Sequence, residues 1–175
     1  MSRQGWVEAL PPFHIADGTA ATAASLAEIS PTPPVQLAGL QQGQRLEFSS
    51  FGKITTAATP GTWTFGIYIG TGAIAAGQAA IASAALAAKA SMTNVTWRVE
   101  GNASIRAVGS GTSATLIGAL EISNITSNGT DIAPATAPTT FGFDSTITNF
   151  CRLGITPSVA TGSITCHYFG VRLVN

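Results

Sequence analysis

Few side chains in this sequence have the types and spacing that chemistry needs. Cys166 stands beside His167, a nucleophile next to a base, and His14 is the other histidine. Nucleophilic catalysis needs a Ser or Cys, a His and an orienting acid brought together. Neighbouring residues of a strand point to opposite faces, so Cys166 and His167 cannot easily cooperate if they lie in one. Arg98 and Glu100 share a face of a predicted strand, where they read as a solvated or interface ion pair rather than an acid–base couple. Asp131 and Asp144 lack acidic companions at the spacing of a calcium loop. Gly70-Thr71-Gly72-Ala73-Ile74-Ala75-Ala76-Gly77 is neither G-x-G-x-x-G nor a P-loop, because Gln78 stands where the phosphate-binding lysine belongs. It reads as a flexible connection after a strand. Cys151 and Cys166 come without the added His ligands of a zinc site. Their default state is two free buried thiols, with a disulfide as the alternative if their strands are neighbours in one sheet. The sequons at Asn94, Asn102, Asn124 and Asn128 arise readily in a Ser/Thr-rich chain and carry sugar only on a secreted protein. The expectation is a protein without catalysis, metal or cofactor.

The elements that must position these residues are strands. In Thr62–Gly70 the residues Trp63, Phe65, Ile67 and Ile69 alternate with Thr62, Thr64, Gly66 and Tyr68, the period-two pattern of a strand with one face in a core. Residues 44–57 give another, with Leu46 and Phe48 alternating against Arg45, Glu47 and Ser49. Phe51 and Ile54 interrupt that phase around Gly52, which predicts a bulge in this strand. Thr59-Pro60-Gly61 is a turn signal, and the two strands around it read as an antiparallel hairpin. Residues 94–108 place Trp97, Val99 and Gly101 opposite Arg98, Glu100 and Asn102. Residues 113–125 place Leu116, Leu120 and Ile122 opposite Thr115, Glu121 and Ser123. Strands are also predicted over 35–39, 141–147, 149–158 and 162–174, the last with Ile164, Cys166 and Tyr168 opposite Thr165, His167 and Phe169. Residues 22–29 read as a strand or a short helix. Residues 78–90 are Ala-rich, which favours helix, but their context favours a strand. About eight strands separated by turn signals predict an all-β fold, a single antiparallel sandwich or barrel over residues 21–175.

Composition narrows the partners. Charged residues are 9% of the 175 and net charge is zero, against about 25% charged residues in ordinary globular proteins. Such a surface is poorly protected against association, so the chain is expected to be covered by copies of itself or by another protein. The alternative is a monomer whose sheet faces are solvated by Thr and Ser hydroxyls. No basic run exists to neutralise phosphates, which argues against nucleic-acid binding. The Ala73–Ala90 stretch contains Gln78 and Lys89 and is too weakly apolar for a membrane span. Met-Ser-Arg-Gln-Gly-Trp at the start has no apolar signal region, which predicts synthesis in a cytosol.

Residues 1–20 lack periodicity. Trp6, Leu10 and Phe13 surround Pro11-Pro12, which blocks a helix and imposes an extended path. An extended arm with these side chains needs a surface. It lies either on its own domain or on a neighbouring subunit, with Trp6, Leu10 and Phe13 as partner-binding anchors in the second case.

Four segments carry a family resemblance: Gly43-Gln44-Arg45-Leu46-Glu47-Phe48, the stretch from Pro60 to Gly70, the stretch from Thr93 to Gly101 with Trp97-Arg98-Val99-Glu100, and Ser163 to Val174. Over residues 40–175 the chain resembles small structural proteins of tailed bacteriophages, particularly jelly-roll head decoration (cement) proteins and related head or tail appendages. The resemblance implies a jelly-roll or related β-sandwich, commonly a homotrimer on a virion's capsid surface, where it binds the major capsid protein and holds capsomers together. Residues 1–40 carry no such resemblance, and it supplies no catalytic residue. A receptor- or carbohydrate-binding appendage is the rival reading. Its loops would carry exposed aromatics, and the loops here are Gly/Ala/Thr-rich. A cupin-like metal enzyme would need His-x-His and Glu/His ligands that the sequence lacks.

Overall fold

The computed structural model describes residues 8–10, 16–76, 78–125, 130–131 and 140–174, and every helix or strand among them is a strand. In chain order they are β1 (Glu8–Leu10), β2 (Ala27–Glu28), β3 (Val35–Leu37), β4 (Arg45–Thr56), β5 (Thr62–Gly70), β6 (Ile81–Ala82), β7 (Leu86–Ala87), β8 (Val95–Ala107), β9 (Ala114–Ser123), β10 (Thr130–Asp131), β11 (Phe141–Phe143), β12 (Asn149–Pro157) and β13 (Gly162–Val174). They form two antiparallel sheets. The first runs β1-β13-β4-β8-β9-β10, with β11 also on β9; the second runs β2-β12-β5-β6, with β3 also on β12 and β7 on β5. The sheets pack as a β-sandwich. The Ala-rich segment becomes β6 and β7, short edge strands against β5, because Ile81 and the Ser83 hydroxyl have places beside that strand: Ser83 Oγ accepts from the Phe65 N–H at 2.9 Å.

The core follows from alternation. β8 turns Trp97, Val99, Ala103 and Ile105 inward, β9 turns Ala114, Leu116, Leu120 and Ile122, and β5 turns Trp63, Phe65, Ile67 and Ile69. Phe65 and Trp97 meet across the two sheets at 5.7 Å between ring centroids.

The expected hairpin between residues 44–57 and 62–70 does not form. β4 pairs β13 and β8, whereas β5 pairs β12 in the other sheet. Each strand has its own large apolar face, and facing each other across the core buries both. The connector is held as a corner by distant partners. Ala57 N–H donates to the Thr161 carbonyl at 3.0 Å, Ser91 N–H donates to the Ala57 carbonyl at 2.9 Å, and Gly61 sits at φ +68°, a conformation glycine adopts without a Cβ penalty.

The bulge expected in β4 lies in its partner. β4 alternates without a break, with Leu46, Phe48, Ser50, Gly52, Ile54 and Thr56 inward and Phe51 outward. Small residues at inward positions 50 and 52 imitate a phase slip. The extra residue is His167 of β13, since Gly52 pairs Cys166 and Phe51 pairs Tyr168. The bulge presses β13 onto β4, and a Cβ on Gly52 would lie 1.9 Å from the Thr165 carbonyl oxygen. It also reverses the phase of the last strand. Phe169, Val171 and Leu173 are buried, and Tyr168 turns outward to stack on Phe51 at 5.5 Å.

The end of the segment read as an arm, residues 16–20, and the residue after it are built into the sandwich. Gly18 N–H donates to the Cys166 carbonyl, Ala21 bridges Ile164 and is buried, and Ala16 bridges Thr32. Within the arm, the backbone of Glu8–Leu10 pairs with Val171–Leu173 of β13, Leu10 opposite Val171. Trp6 and Phe13 lie outside the described residues.

Candidate binding cleft and contact faces

The residues singled out for chemistry are separated by the sandwich. Cys166 faces the core while His167 faces out, where its Nδ1 lies 2.9 Å from Asp17 Oδ2. The Asp17 partner, held near β13 by the Gly18 backbone bond, had no sequence signal of its own. The dyad does not reach the thiol. Cys166 Sγ instead donates to the Tyr168 carbonyl at 3.1 Å, and burial pushes its pKa up to about 12. Burial raises the Cys151 thiol as well. Both cysteines are free and buried, and their strands lie in different sheets rather than side by side. A protonated thiol sealed in a core is neither a nucleophile nor a metal ligand. Among the described residues no three His, Cys, Asp or Glu side chains cluster as a metal site.

Arg98 and Glu100 form an ion pair on the outer face of β8, with both side chains about half exposed. A similar network joins β4 to β13: Glu47 receives Arg45 on one oxygen and Arg172 on the other, Arg172 Nε at 2.9 Å. Those hydrogen bonds, first that of Arg172, hold the Glu47 carboxyl below its usual range. Asp144 ties two loops at one end of the sandwich. Its carboxylate accepts from Thr146 and from the Gly111 N–H, and these bonds lower its pKa. Asn149, buried at the start of β12, donates to the carbonyls of Asp144 and Ile147 and so fixes the same turn. Asp144 thus clasps the two loops together.

Charge is divided unequally between the two outer faces. The first sheet carries Arg45, Glu47, Lys53, Arg98, Glu100, Arg106, Glu121 and Arg172 outward, together with the aromatic pair Phe51–Tyr168. The strands of the second sheet hold one charged pair, Glu28 and Arg152, and otherwise present Thr62, Thr64, Tyr68, Phe150, Thr156, Ala82 and Ala87.

Arg152 of that pair lines a cleft of 410 Å³ at the end of β5, together with residues 68–74, Gln78, Phe141 and Gly142. Arg152 is 12% exposed in its side chain. Three contacts hold it: Glu28 Oε1 lies 3.4 Å from Nε, Nη1 donates to the Gly70 carbonyl at 3.3 Å, and the guanidinium lies 5.0 Å from the Phe150 ring centroid. Burial raises the pKa of Glu28, and Arg152 opposes that shift. The Tyr68 hydroxyl is raised by burial. Arg152 is the one charged residue in Asn149–Pro157, but nothing local in the sequence ties it to Tyr68, Gln78 or Phe141.

No family model, no curated protein and no solved structure matches the chain.

Proposed function

We propose that the chain is a non-catalytic structural subunit of a virion, a jelly-roll type of sandwich that self-associates, with a trimer favoured, and decorates and stabilises a phage capsid by binding its major capsid protein. The host cytoplasm is the place of synthesis and the capsid surface the place of work in this reading. The observation that carries self-association is the unequal division of charge. A face of Thr, Ala, Tyr and Phe is cheap to desolvate, because it contains few ions whose hydration must be replaced. The opposite face stays hydrated through its ion pairs and keeps the assembly soluble. Decoration of a tailed-phage head rests on the sequence resemblance of residues 40–175. Many copies on one particle let each contact be weak and the sum strong.

The test sets two exposed threonines against each other. Thr156 lies on the outer face of the second sheet and Thr96 on that of the first. Native mass spectrometry at micromolar concentration is expected to find an oligomer for the parent and for Thr96→Arg. Thr156→Arg is expected to release monomers, because it places an unpaired cation in the contact. A monomeric parent sinks the reading of self-association. Failure of the oligomer to co-sediment with capsids assembled from the major capsid protein sinks the reading of decoration.

A further inference from the structure

The cleft beside Arg152 adjoins the face proposed for self-association but differs from it in shape and chemistry. Its volume, 410 Å³, falls within the range of about 300–1,000 Å³ typical of small-molecule sites. Its walls are mixed. Ile69, Ile74 and Phe141 supply apolar surface, while Tyr68, Gln78, Thr71 and Arg152 supply hydroxyl, amide and guanidinium groups. A Cβ added at Gly70 or at Gly72 would meet nothing within 4 Å. These glycines therefore leave open space beside the backbone at the cleft.

The charges decide what class of ligand fits. Arg152 is nearly buried and already compensated by Glu28, so an anion would have to compete with a resident carboxylate. A cation would meet the guanidinium. A purely apolar ligand would strip water from the Arg152 fork without replacing its hydrogen bonds, which is costly. An uncharged molecule with many hydroxyls meets none of these penalties. The guanidinium carries five N–H donors in a fixed fork; Nε faces Glu28 and Nη1 donates to the Gly70 carbonyl. The apolar wall suits the C–H face of a pyranose ring, and Gln78 both donates and accepts. We propose that the Arg152 cleft binds a neutral saccharide through hydroxyl contacts to Arg152, Gln78 and Tyr68 and ring packing on Phe141.

The experiment is saturation-transfer NMR and calorimetry on the full chain with D-glucose, D-galactose, D-mannose and N-acetyl-D-glucosamine, and with sodium acetate as the anionic probe. At least one neutral sugar is expected to bind and acetate is not. Two variants act on the cleft without touching the core. Gln78→Ala removes a polar partner from an exposed loop residue. Gly70→Val places bulk in open space. Each is expected to weaken sugar binding by about tenfold or more, the worth of one good hydrogen bond or of a lost fit, with the circular dichroism spectrum and the oligomer mass unchanged. The proposal is overturned if none of the four sugars binds, if acetate binds and the sugars do not, or if both folded variants bind sugar as tightly as the parent. Tyr68 belongs both to the cleft and to the face proposed for self-association, so oligomer mass is read alongside sugar binding: an oligomeric parent that binds no sugar counts against this proposal, and a monomeric parent counts against self-association.

Discussion

At the scale of single residues, Trp63 and Trp97 are both sealed in the core but differ by one hydrogen bond. Trp63 Nε1 donates to the Pro60 carbonyl at 3.2 Å, while Trp97 Nε1 is the one buried side-chain nitrogen or oxygen without a partner among the described residues. Replacing either by alanine removes a large side chain from a closed core and should cost about 3–5 kcal/mol. Replacement by phenylalanine separates the two. Trp63→Phe leaves the Pro60 carbonyl without its donor. Trp97→Phe removes a donor that had none to satisfy. Urea unfolding should therefore find Trp63→Phe the less stable of the pair by about 1–3 kcal/mol, the cost of an orphaned buried polar group. The reverse order would mean that Trp97 Nε1 makes a stabilising contact of another kind. Alternation identified both tryptophans as core residues, since period two is a local property. Which of them has a partner is set by a corner between sheets, and no local pattern records it.

Strands carry the next level of information, and the bulge at His167 shows where local patterns mislead. Deleting His167 should leave a folded protein. Cys166 and Tyr168 would then be successive residues, and Ile164, Cys166, Phe169, Val171 and Leu173 would all keep their inward places. The loss is the exposed pair with Asp17, a small term for a partly solvated contact. Deleting Phe169 instead shifts everything after it by one residue, turning Val171 and Leu173 outward and Arg172 inward, because a one-residue slip reverses both faces. That variant should not fold, and circular dichroism with urea unfolding compares the two. Equal stability of the two deletions would show that β13 does not set the register of the sheet. The same region marks the limit of what the sequence shows. Strand positions, the all-β class and the core faces of β5, β8 and β9 were legible, because they depend on neighbours two residues apart. The bulge was sensed at Gly52 but assigned to the wrong strand, because Gly52 is small on account of what β13 does opposite it. The hairpin failed for a related reason: Pro60-Gly61 announces a turn, but partners at Thr161 and Ser91 decide that the turn crosses between sheets. The cleft was not legible at all as a site. Tyr68, Gln78, Phe141 and Arg152 are far apart in the chain, and only the pairing of β12 with β5 and of β11 with β9 brings them together.

For the whole molecule, the question is what the N-terminal arm does in an assembly. Glu8–Leu10 closes the outer edge of β13 over Val171–Leu173, and the chain from residue 16 onward is anchored independently at Ala16, Gly18 and Ala21. The fold therefore separates into a sandwich secured from residue 16 onward and a strand ahead of it that supplies one short stretch of pairing. Such a strand is the kind of element that subunits exchange, since the same backbone bonds form whether the edge belongs to its own chain or to a copy. The proposed anchors Trp6, Leu10 and Phe13 flank Pro11-Pro12, which lowers the entropy lost when the arm docks. Removing residues 2–13 is expected to leave the circular dichroism spectrum and cooperative unfolding close to the parent, because the corner, the bulge and the core lie wholly outside the deletion. It is expected to shift the oligomer towards monomers and to weaken capsid binding, because both the anchors and the shared strand are gone. Loss of cooperative unfolding would place the arm in its own chain's core. Unchanged oligomer mass together with unchanged capsid binding would refute a role for the arm in assembly, leaving the charge-poor face of the second sheet to carry it alone. The Thr156→Arg variant tells these cases apart. If both surfaces contribute, each change alone should lower the oligomer's stability, and the two together should abolish it at concentrations where either single variant still assembles.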